Sequence, residues 1–310
     1  MVKRLSRPYI LTLGLLAGLI SGINSPLIKY ALATVPTALF GFLRLGVPLL
    51  LLIPYMLVKH PRIKPRSALL ALALGLATYV GANGLFYLGV PRSGVITASV
   101  IGLSSPILLF VFSVEVMRER FNHRILTGIL LAFAGSLLIV FGPALGHQSF
   151  GASGSLVGNL YLVAGLGCSV LGVWSAKLAL RDVAATQLLF WSLPFPFLIY
   201  GLLSFHSWHL LPGIVHQPRI IGAVLFGALM NGVVVYLIDF AILRRIKGEE
   251  YSIFGYIEPE VATTLAVLFL GERPTLPLIV GVTIVFTGLY LAESHRRSPG
   301  IAHAHPIHRR

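Results

Sequence analysis

A single cysteine, Cys168, in 310 residues excludes an intrachain disulfide framework. Only ten residues are acidic, and all charged residues together make up 11% of the chain, too few to solvate a water-soluble domain of this size. No HExxH, P-loop, serine-nucleophile signature or spaced Cys/His cluster occurs, so covalent or metal-assisted catalysis has no residues to rest on. The net charge of +14 does not point to nucleic acid, because the basic residues form no single patch interleaved with aromatic platforms.

What fills the chain is apolar: 56% hydrophobic residues and a mean hydropathy of +0.87. Crossing a bilayer as a helix takes about 20 apolar residues. The sequence predicts an all-α membrane protein of ten transmembrane helices, at 9–32, 36–58, 67–89, 93–116, 124–142, 155–177, 184–204, 219–243, 250–270 and 275–292. With the N-terminus in the cytoplasm, most of the 24 Lys and Arg residues fall on that side. Only Lys29, Arg92, Arg219 and Arg273 are outside, and Arg44 lies within a span. The positive-inside rule thus predicts two cytoplasmic termini and an inner (plasma) membrane location. Lys3, Arg4 and Arg7 before an apolar run superficially resemble a secretory signal, but that run is too long and nine spans follow it.

The two halves repeat each other. Gly102, Pro106, Val114, Glu119, Arg120, Gly128, Phe133, Gly135 and Leu138 recur 153 residues later as Gly255, Pro259, Val267, Glu272, Arg273, Gly281, Phe286, Gly288 and Leu291. Earlier parts match more loosely at an offset of 148, as Lys29 with Lys177 and Pro48 with Pro196. Five spans per half is an odd number, so the second copy enters from the opposite face and the repeat is inverted. This predicts a five-helix repeat over 1–142, a linker over 143–154, a second repeat over 155–292 and a basic cytoplasmic tail over 293–310.

Residues that could carry function lie inside the spans. Pro106 and Pro259 each remove a backbone hydrogen bond, and Gly102 and Gly255, four residues earlier, relieve the crowding. The mirrored pairs read as hinges or cavity-lining breaks, against the plainer reading of ordinary kinks. Glu258, about eight residues into the ninth span, is a protonatable group near the midplane, where a charge costs about 2.5–3.5 kcal/mol. It is read as substrate-binding and coupling, or else as a structural carboxyl. Arg44 reaches a similar depth and suits either an ion pair with Glu258 or a fork for a substrate carboxylate or phosphate. Asp239, beside Arg244 and Arg245, suits an interfacial salt bridge or a proton relay. Tyr79, Asn83 and Tyr87, spaced by four, are predicted to share one helical face, with Asn24, Trp174, Asn231, Tyr236 and Tyr256 adding polar or aromatic groups from other spans. Interhelical hydrogen bonding is the alternative for each asparagine. Glu119-Arg120 and Glu272-Arg273 read as structural, in tight turns where a carboxylate favours the start of the next helix.

Ile28, Lys29, Ala31 and Leu32 followed by Leu43 and Arg44, with the stretches Pro106 to Gly135 and Pro259 to Gly288, resemble the drug/metabolite transporter superfamily. The likeness is to its ten-helix bacterial EamA-type members, and Glu258-Pro259 through Gly271-Glu272-Arg273 is its most specific part. Ser21-Gly22 departs from the tryptophan-glycine often found in the first span, whereas Trp174 is retained in the sixth. The resemblance implies two inverted repeats around a central cavity, alternating access and, often, export of amino acids or related metabolites. The expectation is a non-enzymatic secondary transporter that exports a small polar or amphipathic metabolite, with protons as a candidate coupling ion. Alternatives are a sugar or phosphometabolite uptake carrier of the same superfamily and a non-transporting membrane scaffold. Expected partners are a small-molecule substrate and the lipid bilayer, with a homodimer as a further possibility; no cofactor, metal or nucleic acid is expected.

Overall fold

The structure is a computed structural model that describes residues 7–59, 63–102, 104, 127, 130–131, 134–135, 137–138, 155–244, 257–272 and 276–294. All regular structure among these residues is helical. The long elements are α1 (Arg7–Leu32), α2 (Thr37–Lys59), α3 (Pro65–Ser93), α4 (Val95–Gly102), α5 (Leu156–Ala179), α6 (Ala185–Leu203), α7 (Pro218–Leu243), α8 (Ile257–Leu270) and α9 (Leu276–Ser294). Six of them, α1, α2, α3, α5, α6 and α7, are long and apolar enough to cross a membrane. Large side chains such as Leu50, Leu57, Leu202 and Phe269 project outward, an apolar surface suited to lipid and not to water.

The two halves of the chain are interleaved. Helix α1 lies along α8, α3 along α5, α2 along α6, and α4 against α8, so the main seams join the first half to the second. Small residues set these seams, since lipid-exposed helices are held together by close packing more than by water exclusion. A Cβ on Gly22 of α1 would stand 2.5 Å from Val261 Cβ and 3.0 Å from the Glu258 carbonyl oxygen, and one on Gly18 would stand 2.7 Å from Ile257 Cβ. Helices α1 and α8 therefore run parallel at near-backbone contact. On α2, Gly41 and Gly46 meet Tyr200 and Phe197 in the same way. Gly135, in the predicted fifth span, packs on α9, where a Cβ would lie 2.7 Å from the Gly281 carbonyl oxygen. At that point the glycine faces of the fifth and tenth spans cover each other within one chain.

Helices α3 and α7 depart from regular α geometry in matching places. Leu76–Asn83 in α3 and Gly227–Val235 in α7 are π-helical. Asn83 and Asn231, each followed by a glycine, stand 148 residues apart in these segments, at the offset of the looser repeat. Such π-helical segments are frequent at functional sites. Tyr79 is buried against Tyr236, with ring centroids 5.4 Å apart, and Asn83 lines an internal cavity together with Tyr236. The predicted loop Ser204 to Pro218 is also ordered, with a 3-10 turn Phe205–Leu210 and a short helix Leu211–Val215. Trp208 there donates to Ser204 Oγ at 3.0 Å and packs on Phe42.

Candidate functional site

Where the halves meet, a cavity of about 380 Å³ opens inside the bundle. Asn24 and Ser25 of α1, Arg44 of α2, Asn83 of α3 and Gly102 of α4 line it from the first half. Asn231 and Asp239 of α7 with Glu258 and Pro259 of α8 line it from the second. Much of the remaining wall is apolar or small, including Ala17, Ile28, Phe86, Leu162 and Leu166. This is the composition of a small-molecule site, with apolar walls and a few placed polar groups.

Arg44 is the cation of this site and only 5% exposed. Its Nη2 donates to Asn231 Oδ1 at 2.5 Å, and Asn231 Nδ2 donates in turn to Ser21 Oγ at 3.0 Å. Ser21 occupies the position at which the chain departs from the tryptophan of its resembled family, and its hydroxyl completes this chain of hydrogen bonds. The guanidinium carbon lies 6.0 Å from the Phe40 ring centre and 5.7 Å from that of Tyr87, within cation–π range. Arg44 Nη1 has no hydrogen-bond partner, and neither has Asn24 Oδ1. Glu258 faces the same cavity without an ion pair to Arg44; its Oε1 accepts from Ser25 Oγ at 3.5 Å.

A second polar cluster sits beyond the cavity, at the Lys29 end of α1. Lys29 Nζ donates to Glu272 Oε1 at 2.6 Å, across the two halves. The backbone amides of Val95 and Ile96, the first residues of α4, donate to Glu272 Oε1 at 2.8 Å and Oε2 at 2.9 Å. Glu272 thus caps a helix N-terminus, where amides are left without intrahelical partners and favour a negative charge. The capped helix is α4 of the first half, not the next helix in sequence. Two left-handed glycines make the approach possible. Gly271, at φ 64°, turns the chain off the end of α8, and Gly94, at φ 88°, joins α3 directly to α4. A Cβ on Gly94 would meet Glu272 Oε2 at 3.1 Å.

Asn24, Arg44, Asn83, Asn231, Asp239 and Glu258 are therefore brought to one cavity, together with Gly102 and Pro259. Trp174 is not among its lining residues and is 38% exposed on the surface of α5, and Tyr79 is packed behind the wall. Pro106, Gly255 and Tyr256 lie outside the described residues. Sequence reasoning missed Ser21, Ser25 and the cross-half role of Glu272. The Asn-Gly pairs at the shared 148 offset could have marked α3 and α7 as a related, cavity-facing pair.

The model of the EamA-like transporter family matches twice, over residues 8–141 and 156–293. The chain is 26% identical to the uncharacterized transporter YetK of Bacillus subtilis (strain 168), over 70% of this chain and 63% of that protein. In that alignment the chain spans just under two thirds of its relative's length. It is 25% identical to the uncharacterized transporter YvbV of the same organism over 89% of each chain. A solved crystal structure, 17% identical, matches with a TM-score of 0.63 over 94% of this chain and 100% of its own, a likeness of fold. With two family matches covering nearly all the apolar helices, the chain belongs to the EamA-like transporter family, whose members are multi-pass membrane proteins.

Proposed function

We propose that this chain is a secondary transporter that exports a small polar or amphipathic metabolite, such as an amino acid, from the cell by alternating access. The observation that carries this reading is a cavity walled by both halves, in which Arg44, Asn24, Asn83, Asn231 and Glu258 converge. A site at the junction of two repeats is where an inverted-repeat carrier holds its solute. The paired family matches and the two matching π segments support ten helices arranged as inverted five-helix repeats over 1–142 and 155–292.

With both termini cytoplasmic in the plasma membrane, Lys29 and Glu272 lie at the outer end. Their contact with the start of α4 closes that end. Opening it requires the carboxylate to release Lys29 and the two amides together. Gly102 and Pro259 border the cavity and, with Pro106 and Gly255, serve as the hinges. Glu258 and Asp239 are the proton-coupling groups.

Purified protein in proteoliposomes, loaded with unlabelled metabolite pools and offered labelled ones, should show saturable counterflow. Vesicles with no saturable flux of any metabolite would refute the transporter reading and favour a membrane scaffold.

A further inference from the structure

The environment of Arg44 narrows the solute to a chemical class, an inference that rests on the transporter reading above. Three neighbours account for part of the guanidinium: Asn231 Oδ1 at 2.5 Å and the faces of Phe40 and Tyr87. None of these carries a formal charge. No salt bridge joins Arg44 to a carboxylate among the described residues. An almost fully buried cation therefore stands with one nitrogen, Nη1, unpartnered, beside an equally unpartnered amide oxygen on Asn24. A buried charge is costly unless paired and hydrogen-bonded. Gly227 of α7 leaves this corner free of a side chain: a methyl group there would stand 2.9 Å from Asn24 Oδ1 and 3.6 Å from Arg44 Cζ.

The rest of the cavity limits how much negative charge can enter. Glu258 lines the same space, and Arg44 is the only basic residue among its described lining residues. A guanidinium matches a carboxylate through paired N–H donors. A phosphomonoester, carrying nearly two charges at neutral pH, would face the one cation with the Glu258 side chain in the same cavity. We propose that Arg44 is the anion-recognition group of the carrier, that it seats one carboxylate of a monoanionic or dipolar solute through Nη1, and that the site rejects phosphomonoesters. Asn24 Oδ1 accepts a hydrogen bond from an N–H or O–H group vicinal to that carboxylate.

The test uses the full chain in detergent and reads thermal stabilisation, since a ligand bound to the folded state raises the melting temperature by mass action. A library of aliphatic, aromatic and 2-substituted monocarboxylates is run beside the methyl ester of each acid and phosphomonoesters of similar size. The expected result is stabilisation by a subset of the acids, with half-saturation weakened about ten- to a hundredfold in the matched esters, the scale of a charge-assisted hydrogen bond. Phosphomonoesters should give no shift. This comparison uses the unaltered protein and does not depend on how a variant folds. In Arg44→Gln the acid and ester should bind alike, and Gly227→Ala should weaken the acids while the ion pair at Glu272 persists. Equal shifts from acids and esters, shifts from phosphomonoesters, or no shift from any acid would overturn the proposal. Saturable flux of a solute lacking a carboxylate would sink this inference while leaving the transporter reading standing; absence of all flux would sink the latter.

Discussion

Lys29 Nζ and Glu272 Oε1, 243 positions apart in the chain, lie 2.6 Å from each other, and the same carboxylate holds the first two amides of α4. One side chain thus ties α1, α4 and α8 together. Glu272→Ala removes an ion pair and a helix cap at once and should lower stability by about 2–4 kcal/mol, on the scale of charged hydrogen bonds plus a lost cap. Lys29→Met should cost about 1 kcal/mol, because the carboxylate keeps both amides and Lys29 is partly exposed. Thermal melts of the two variants and the double variant measure this; equal losses in the two single variants would argue against the capping role.

The seam between α1 and α8 depends on the absence of a side chain at Gly22. Gly22→Leu should cost roughly 1–3 kcal/mol as an overpacked contact and abolish transport by prising Glu258 away from Ser25. Gly222→Ala is the control, since nothing lies within 4 Å of a Cβ there. In a helix it should be neutral or stabilising by up to ~1 kcal/mol. Melting curves and counterflow rates that fail to separate the two variants would dismiss the close-approach argument.

Tyr200 donates its hydroxyl to the carbonyl oxygen of Tyr79, 2.9 Å away and inside the π segment of α3. The donor is buried, so Tyr200→Phe leaves that carbonyl without this partner, at about 1–2 kcal/mol. The expected signature is a lowered melting temperature with an intact fold by circular dichroism. An unchanged melting temperature would mean that the π segment holds without this bond.

Glu258 lines the cavity and meets Ser25, not Arg44, in this conformation. If it carries the coupling proton, Glu258→Gln should abolish the stimulation of transport by a pH gradient while preserving counterflow at equal pH on both sides. Proteoliposomes with and without a gradient make the measurement. A variant that still responds fully to the gradient would remove Glu258 from the coupling role and leave it a structural carboxyl.

Several parts of the site were legible along the chain because burying a charge in an apolar span is costly wherever the span packs. That argument finds Arg44 and Glu258 without any knowledge of neighbours, and both reach the cavity. It does not find partners. The expected alternative of an Arg44–Glu258 pair gives way here to Asn231 and Ser25, polar groups whose position depends on how α1 and α7 are rotated. The four-residue spacing of Tyr79, Asn83 and Tyr87 did not reveal that of the three only Asn83 lines the cavity while both tyrosines are buried, because that depends on which neighbouring helices pack over each ring.

The sequence by itself determined the membrane as solvent, the main apolar helices and the family, since each follows from hydropathy and motif order along the chain. Only the tertiary structure decided that the two halves interleave, and that Glu272 caps a helix in the opposite half. Those features depend on close approach at glycines such as Gly18, Gly22 and Gly94 and on the rotation of packed helices. The composition of a helix specifies that it enters the bilayer. Which face it turns to a neighbour is set by the shape of that neighbour.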